Sequence, residues 1–241
     1  MQPQFSTDSL GQPLHKMVIT GTGRAGTTFL VQLLTALDID TGFRDIHDGV
    51  YENCHAGMET DIRDPSSPYI VKNPSLCDEL AGIVASGTYV IDHVFIPIRD
   101  LEAAALSRVS VFCEARDTRK GWIRQLRTAF KHKKAVPGGL IGTDNPKEQL
   151  PILAEKLYRL IYAITLFDIP HTLLHFPRIT QDSWYLYRKL APIVADMDYP
   201  RFKRAFDDVV QPALVHNFTA LSSSSPMTSA PSFQDAACMM S

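Results

Sequence analysis

Apolar residues fall along this chain in short bursts separated by stretches of helical period. Met17-Val18-Ile19 is a brief apolar run that reaches Gly21 through Thr20, the pattern of a strand buried on both faces of a parallel sheet. Beyond the glycines, Phe29, Leu30, Leu33, Leu34 and Leu37 recur at three- and four-residue spacing, which predicts a helix with one apolar face. A glycine-rich turn therefore joins a strand to a helix. Further strands are expected at 39–43, 69–71, 94–98 and 172–176, and helices at 76–85, from 101 onward, at 117–134, 147–167, 182–195 and 200–210. Residues 44–68 and 136–146 are polar and rich in glycine or proline, and read as loops.

Strands alternating with helices predict an α/β domain of three layers, α/β/α, around a central, mostly parallel five-stranded sheet. The organisation expected is a flexible arm over 1–15, one α/β domain over 16–220 and a disordered Ser- and Pro-containing tail over 221–241. In such folds ligands bind beyond the carboxyl ends of the strands. The residues with chemical potential collect there: 21–28 after the first strand, 45–48 after the second, Lys72 after the third and Arg99 after the fourth.

Composition narrows the classes. A net charge of −2 gives no global reason to expect a nucleic acid or an anionic membrane as partner. No apolar stretch approaches the roughly 20 residues of a membrane helix. Cysteines at 54, 77, 113 and 238 form no CxxC pair, so no metal is expected and the thiols read as free in a reducing compartment. Residues 1–16 lack the apolar core of a leader, and a cytoplasmic location is expected.

The sequence Gly21-Thr22-Gly23-Arg24-Ala25-Gly26-Thr27-Thr28 has the makings of an anion site. The first N–H groups of a helix have no helical partners, and the helix end carries about half a positive charge. Glycines let the backbone wrap a phosphate closely. Thr27 and Thr28 add hydroxyls, and Arg24 adds a permanent cation. The loop is not a Walker A motif: Gly21 and Gly26 have that separation, but Thr27 stands where its lysine belongs. The plain alternative, a tight turn with no ligand, leaves Arg24 and the paired threonines unexplained. Arg99 ends the fourth strand and Ser107 lies eight residues on, two helical turns into the next element. Alone, Arg99 reads as a salt-bridge partner; with the loop, it reads as a second anion contact.

The segment Gly23 to Leu30 resembles the phosphosulfate loop of nucleotide-dependent sulfotransferases. Arg99 with Ser107 resembles their Arg-x7-Ser motif, and Lys72-Asn73-Pro74 resembles the lysine-bearing end of their third strand. The resemblance covers residues 16–110. It implies a fold of the P-loop type and a sulfuryl transfer from 3′-phosphoadenosine 5′-phosphosulfate (PAPS) to a hydroxyl or amine, with adenosine 3′,5′-bisphosphate as product and no metal. It also implies that Gly23, Arg24, Ala25, Gly26, Thr27 and Thr28 hold the 5′-phosphosulfate, that Arg99 and Ser107 hold the 3′-phosphate, and that Lys72 lies beside the transferring group. Pro74 stands where many relatives carry a histidine, so the base comes from elsewhere. Asp45 is the first choice, followed by His47 and Asp48; Glu52, His55 and Glu59 rank behind them. Each reads equally as a solvated loop residue.

Carbohydrate, lipid, peptide and small-metabolite acceptors all fit. The basic run Arg119 to Lys134 suits an acidic acceptor or, more simply, a solvated helix face. Phe112, Trp122 and Phe130 suit an apolar pocket or the core. Two rival functions stand beside sulfuryl transfer: an ATP-dependent small-molecule kinase of the P-loop type, and a non-catalytic nucleotide-binding protein of the same fold.

Overall fold

A computed structural model describes residues 12–51, 56–74, 76–117 and 145–211. All but the first residue of the basic helix expected at 117–134, with Trp122 and Phe130, the candidates Glu52 and His55, the outer arm 1–11 and the tail 221–241 lie outside the described residues. The chain is an α/β protein. Its central sheet comprises β1 (Leu14–Ile19), β4 (Ile70–Lys72), β5 (Tyr89–Ile98) and β6 (His171–His175), in the order β4-β1-β5-β6. All three pairings are parallel. A separate antiparallel ribbon pairs β2 (Val50–Tyr51) with β3 (Ala56–Gly57). The helices are α1 (Thr27–Ala36), α2 (Leu76–Ala85), α3 (Leu101–Asp117), α4 (Pro146–Leu166), α5 (Ser183–Lys189), α6 (Ala191–Val194) and α7 (Tyr199–Val209).

Both faces of the sheet are covered, as alternation along the strands requires. Ile19, Ile70, Phe95 and Leu174 face one way and pack with Leu30, Leu33 and Leu34 of α1, Leu186 of α5 and Phe202 and Phe206 of α7. Val18, Val71, Val94 and Ile96 face the other way and meet Leu76, Leu80 and Ile83 of α2 and Leu160 and Ile164 of α4. Among the described residues, no helix is long and apolar enough to cross a membrane.

The sheet has four strands among the described residues, not five. The segment 39–43, expected as a strand, is a turn. Asp38 and Gly42 take left-handed backbone at φ 61° and 78°. The Asp40 carboxylate accepts the Gly42 N–H at 3.1 Å, and Thr41 is buried in a 2.6 Å hydroxyl contact with Thr35. Local side-chain bonding of this kind outcompetes a sheet ladder. The arm is shorter than expected, because β1 already begins at Leu14. At the start of β1, His15 Nδ1 lies 2.7 Å from Asp92 Oδ1, and the buried Lys16 ammonium donates to the Pro68 carbonyl at 3.0 Å. The helix expected at 182–195 divides into α5 and α6 ahead of Pro192, which has no N–H to continue the ladder.

The chain runs from β1 through α1 to β4 on one side, then through α2 to β5 on the other. The strand order therefore reverses at β1, which sets the loops leaving β1 and β5 side by side at the position where folds of this type bind ligands.

Candidate anion-binding site

The loop leaving β1 is anchored at its root. Thr20 N–H donates to the Phe95 carbonyl at 3.0 Å and Asn73 N–H to the Ile19 carbonyl at 3.0 Å, so the ends of β1, β4 and β5 form one platform. The chain then makes a run of left-handed residues, Gly23 at φ 73°, Arg24 at φ 57° and Gly26 at φ 85°. That conformation costs a non-glycine residue such as Arg24 roughly 1–2 kcal/mol, so the surroundings must hold it. Gly26 caps α1 with no side chain, and the first turn of that helix carries no acidic residue. The positive end of α1 faces the loop with no built-in carboxylate to neutralise it.

Three guanidinium groups gather on the β5–α3 side. Arg24 Nε donates to Ser107 Oγ at 3.1 Å, and Arg99 Nη1 donates to the Arg24 carbonyl at 2.9 Å. Arg108 Nη2 donates to the Thr22 carbonyl. The Arg99 guanidinium also lies over the Phe176 ring, 4.8 Å from its centre. Burial, and then the like charge of Arg24, lowers the Arg99 pKa, with Asp100 opposing. The same two causes pull Arg108 down to about 10. Packing cations together out of water is unfavourable in the absence of an anion. This pole is a standing attraction for one.

A second pole sits where β4 meets α1. Lys72 is 4% exposed. Its ammonium donates to Thr28 Oγ1 at 2.9 Å, to the Gly57 carbonyl, and to Glu59 Oε1 at 3.1 Å. Thr28 is one residue into α1, so a single loop of five residues, Arg24 to Thr28, joins the two poles. Beside the second pole is a cavity of about 290 Å³ lined by Glu59, Thr60, Asp61, Asn73, Pro74 and Glu79.

Of the residues singled out in the sequence, Arg24, Thr28, Lys72, Arg99 and Ser107 are joined by direct bonds around the loop. Gly23 and Gly26 supply its turns. Ala25 is fully buried and offers the site only its backbone, and Thr27 opens α1. The base candidates after the expected second strand are used differently. Asp45 Oδ1 accepts the His47 N–H at 2.8 Å, and Asp48 Oδ2 accepts the N–H groups of Arg44 and Asp45 at 3.2 and 3.1 Å. Asp45, His47 and Asp48 are all exposed, and the two carboxylates serve their own turn. The carboxylate brought to Lys72 is that of Glu59, ranked behind them on sequence. Arg108 carries no sequence signal beyond its place beside Ser107.

Among the described residues, no group of three His, Cys, Asp or Glu side chains is placed to hold a metal ion. No protein-family model, characterised protein or solved structure matches this chain.

Proposed function

We propose that this chain is a sulfotransferase of the P-loop type that moves the sulfuryl group of PAPS to a hydroxyl or amine. The observation that carries the reading is the convergence of two distant stretches, Lys72 and Arg99 to Arg108, on the single loop 22–28 through direct hydrogen bonds. A guanidinium cluster at one end of the loop and the Lys72 ammonium at the other suit a nucleotide with phosphate at two ends. In this reading the Arg99–Ser107 pole takes the 3′-phosphate. Arg24, the loop amides, Thr27, Thr28 and Lys72 take the 5′-phosphosulfate.

The transfer is an in-line displacement. A bond forms from the acceptor oxygen or nitrogen to sulfur as the bond from sulfur to the 5′-phosphate oxygen breaks. The acceptor proton passes to the Glu59 carboxylate. Negative charge grows on the departing phosphate, where Lys72 and the α1 terminus stabilise it. Preorganised groups of this kind are each worth roughly 10²–10³ in turnover. The acceptor enters through the cavity beside Glu59. With three carboxylates in its lining, that cavity suits a neutral or cationic acceptor better than a polyanion.

Calorimetric titration tests the donor without knowledge of the acceptor. Adenosine 3′,5′-bisphosphate is expected to bind at least about tenfold more tightly than ATP with magnesium. Tighter binding of ATP, or no binding of the bisphosphate, overturns the proposal, the first in favour of a kinase.

A further inference from the structure

We infer that Arg108 is the positioning residue of the anion loop, holding the left-handed turn at Gly23 and Arg24 on which donor binding depends; the inference rests on the donor site proposed above. Arg24 is a non-glycine residue at φ 57°, and side-chain contacts from Ser107, Arg99 and Arg108 pin it and its neighbours. Two belong to the residues already assigned to the nucleotide: the Ser107 hydroxyl on Arg24 Nε, and Arg99 on the Arg24 carbonyl. Those two are the ones a phosphate would compete for. The third, Arg108 on the Thr22 carbonyl, lies on the strand side of the turn. It fixes where the loop starts.

The fit is tight. A methyl group added at Gly23 would lie 2.7 Å from Arg108 Nη2, nearer than packed atoms approach. Gly23 and Arg108 are therefore a matched pair: the glycine makes room for the guanidinium, and the guanidinium closes the turn that the glycine permits. Arg108 is 6% exposed, and both burial and Arg24 work against its charge. A neutral hydrogen-bond donor could hold a carbonyl without that opposition. A cation in this place gains when a phosphate arrives, so the residue that shapes the loop also makes the shaped loop favour an anion.

The test uses the full chain with Arg108→Lys, Arg108→Met, Gly23→Ala and the double variant Gly23→Ala/Arg108→Met. Unfolding midpoints are measured beside calorimetric affinities for adenosine 3′,5′-bisphosphate and adenosine 5′-phosphate. Arg108→Met is expected to weaken both nucleotides by about tenfold or more and by a similar factor, since loop shape serves both. Arg108→Lys, which keeps the charge with a single point of contact, is expected to fall between it and the wild type. Gly23→Ala is expected to cost about tenfold in the wild type and only about threefold beside Arg108→Met, a non-additivity that a general loss of stability does not produce. If Arg108→Met does not fold, Arg108→Lys is read by the same criteria. Affinities within about twofold of wild type in both Arg108 variants, or additive effects in the double variant, overturn the inference alone. A loss confined to the bisphosphate also overturns it, making Arg108 a 3′-phosphate ligand. A wild-type chain that binds neither nucleotide removes the donor site and the inference with it.

Discussion

The buried Lys72 and the partly exposed Glu59 form an ion pair 3.1 Å long beside Thr28, and the roles proposed for its two halves are separable. Glu59→Gln keeps a hydrogen-bond acceptor toward Lys72 and abolishes the base. It is expected to lower kcat by about 10²-fold while donor-product affinity stays within about threefold of wild type. Lys72→Met removes the cation that meets the departing phosphate and is expected to lower kcat by at least as much. Asp45→Asn and Asp48→Asn, altered in a solvated turn, are expected to keep nearly full turnover. Steady-state kinetics on the four purified variants checks the set; an inactive Asp45→Asn beside an active Glu59→Gln would return the base to the 45–48 turn. Arg24, Lys72, Arg99 and Ser107 were legible in the sequence because each follows a strand end or sits at a fixed step along a helix. Glu59 was not. Its position depends on the reversal of chain at Gly49 and Gly57, where the Met58 N–H donates to the Gly49 carbonyl at 2.9 Å, and no periodicity announces that reversal.

The elements were legible in proportion to the strength of their pattern. Helices α1, α2 and α4 lie where apolar spacing puts them. Strand β5 is longer than the apolar run 94–98, because its first half carries Asp92 and His93. Asp92 sits at a register shift between Lys16 and Met17, and a bulge of that kind breaks the alternation by which a strand is read. His93 gives this half of the sheet a pH dependence. Its Nε2 lies 2.8 Å from Thr172 Oγ1 on β6, and its ring packs on Phe95 at 4.6 Å. Burial, and then the neighbouring His171, hold its pKa below the ordinary 6.5. The folded chain thus refuses a proton that the unfolded chain accepts. Stability is complete above 6.5 and falls as the pH drops from there toward the lowered folded-state value. His93→Gln, which retains a donor for Thr172, is expected to flatten the fall in unfolding temperature between about pH 6.5 and pH 5. Thermal melts across that range read it, and an unchanged slope in the variant assigns the dependence to another group.

At the scale of the molecule, the proposed site is the place where both covered faces of the sheet meet. The loop leads into α1, which packs on one face; Lys72 continues into α2, which packs on the other; Arg99 continues into α3. An anion that bridges these segments ties together elements with separate hydrophobic anchors, so binding is expected to stabilise the fold globally and not just the loop. The two ends of the site differ in sign: guanidinium groups at the donor pole, carboxylates of Glu59, Asp61 and Glu79 around the cavity. Glu79 is further held by Arg63 at 3.2 Å. Amine or neutral hydroxyl acceptors are therefore expected to react faster than polycarboxylated or sulfated ones, and a radiolabelled sulfuryl-transfer assay over a matched panel decides it, a preference for polyanions counting against the cavity as the acceptor's entry. The stability consequence needs no acceptor. Adenosine 3′,5′-bisphosphate at about a hundred times its Kd adds about 2.7 kcal/mol to the folded state. For a domain of this size that corresponds to a rise of roughly 5–10 °C in Tm. Arg24→Ala and Arg99→Ala remove contacts proposed for different ends of the nucleotide, and each is expected to lose most of the rise at the same ligand concentration. Adenosine 5′-phosphate, lacking the 3′ group, is expected to give a smaller rise in the wild type, and Arg99→Ala is expected to reduce that rise by less than it reduces the rise with the bisphosphate. An Arg99→Ala chain that responds to the two nucleotides as differently as the wild type does would show that the 3′-phosphate is bound elsewhere, because the residue assigned to it would then make no distinction between them.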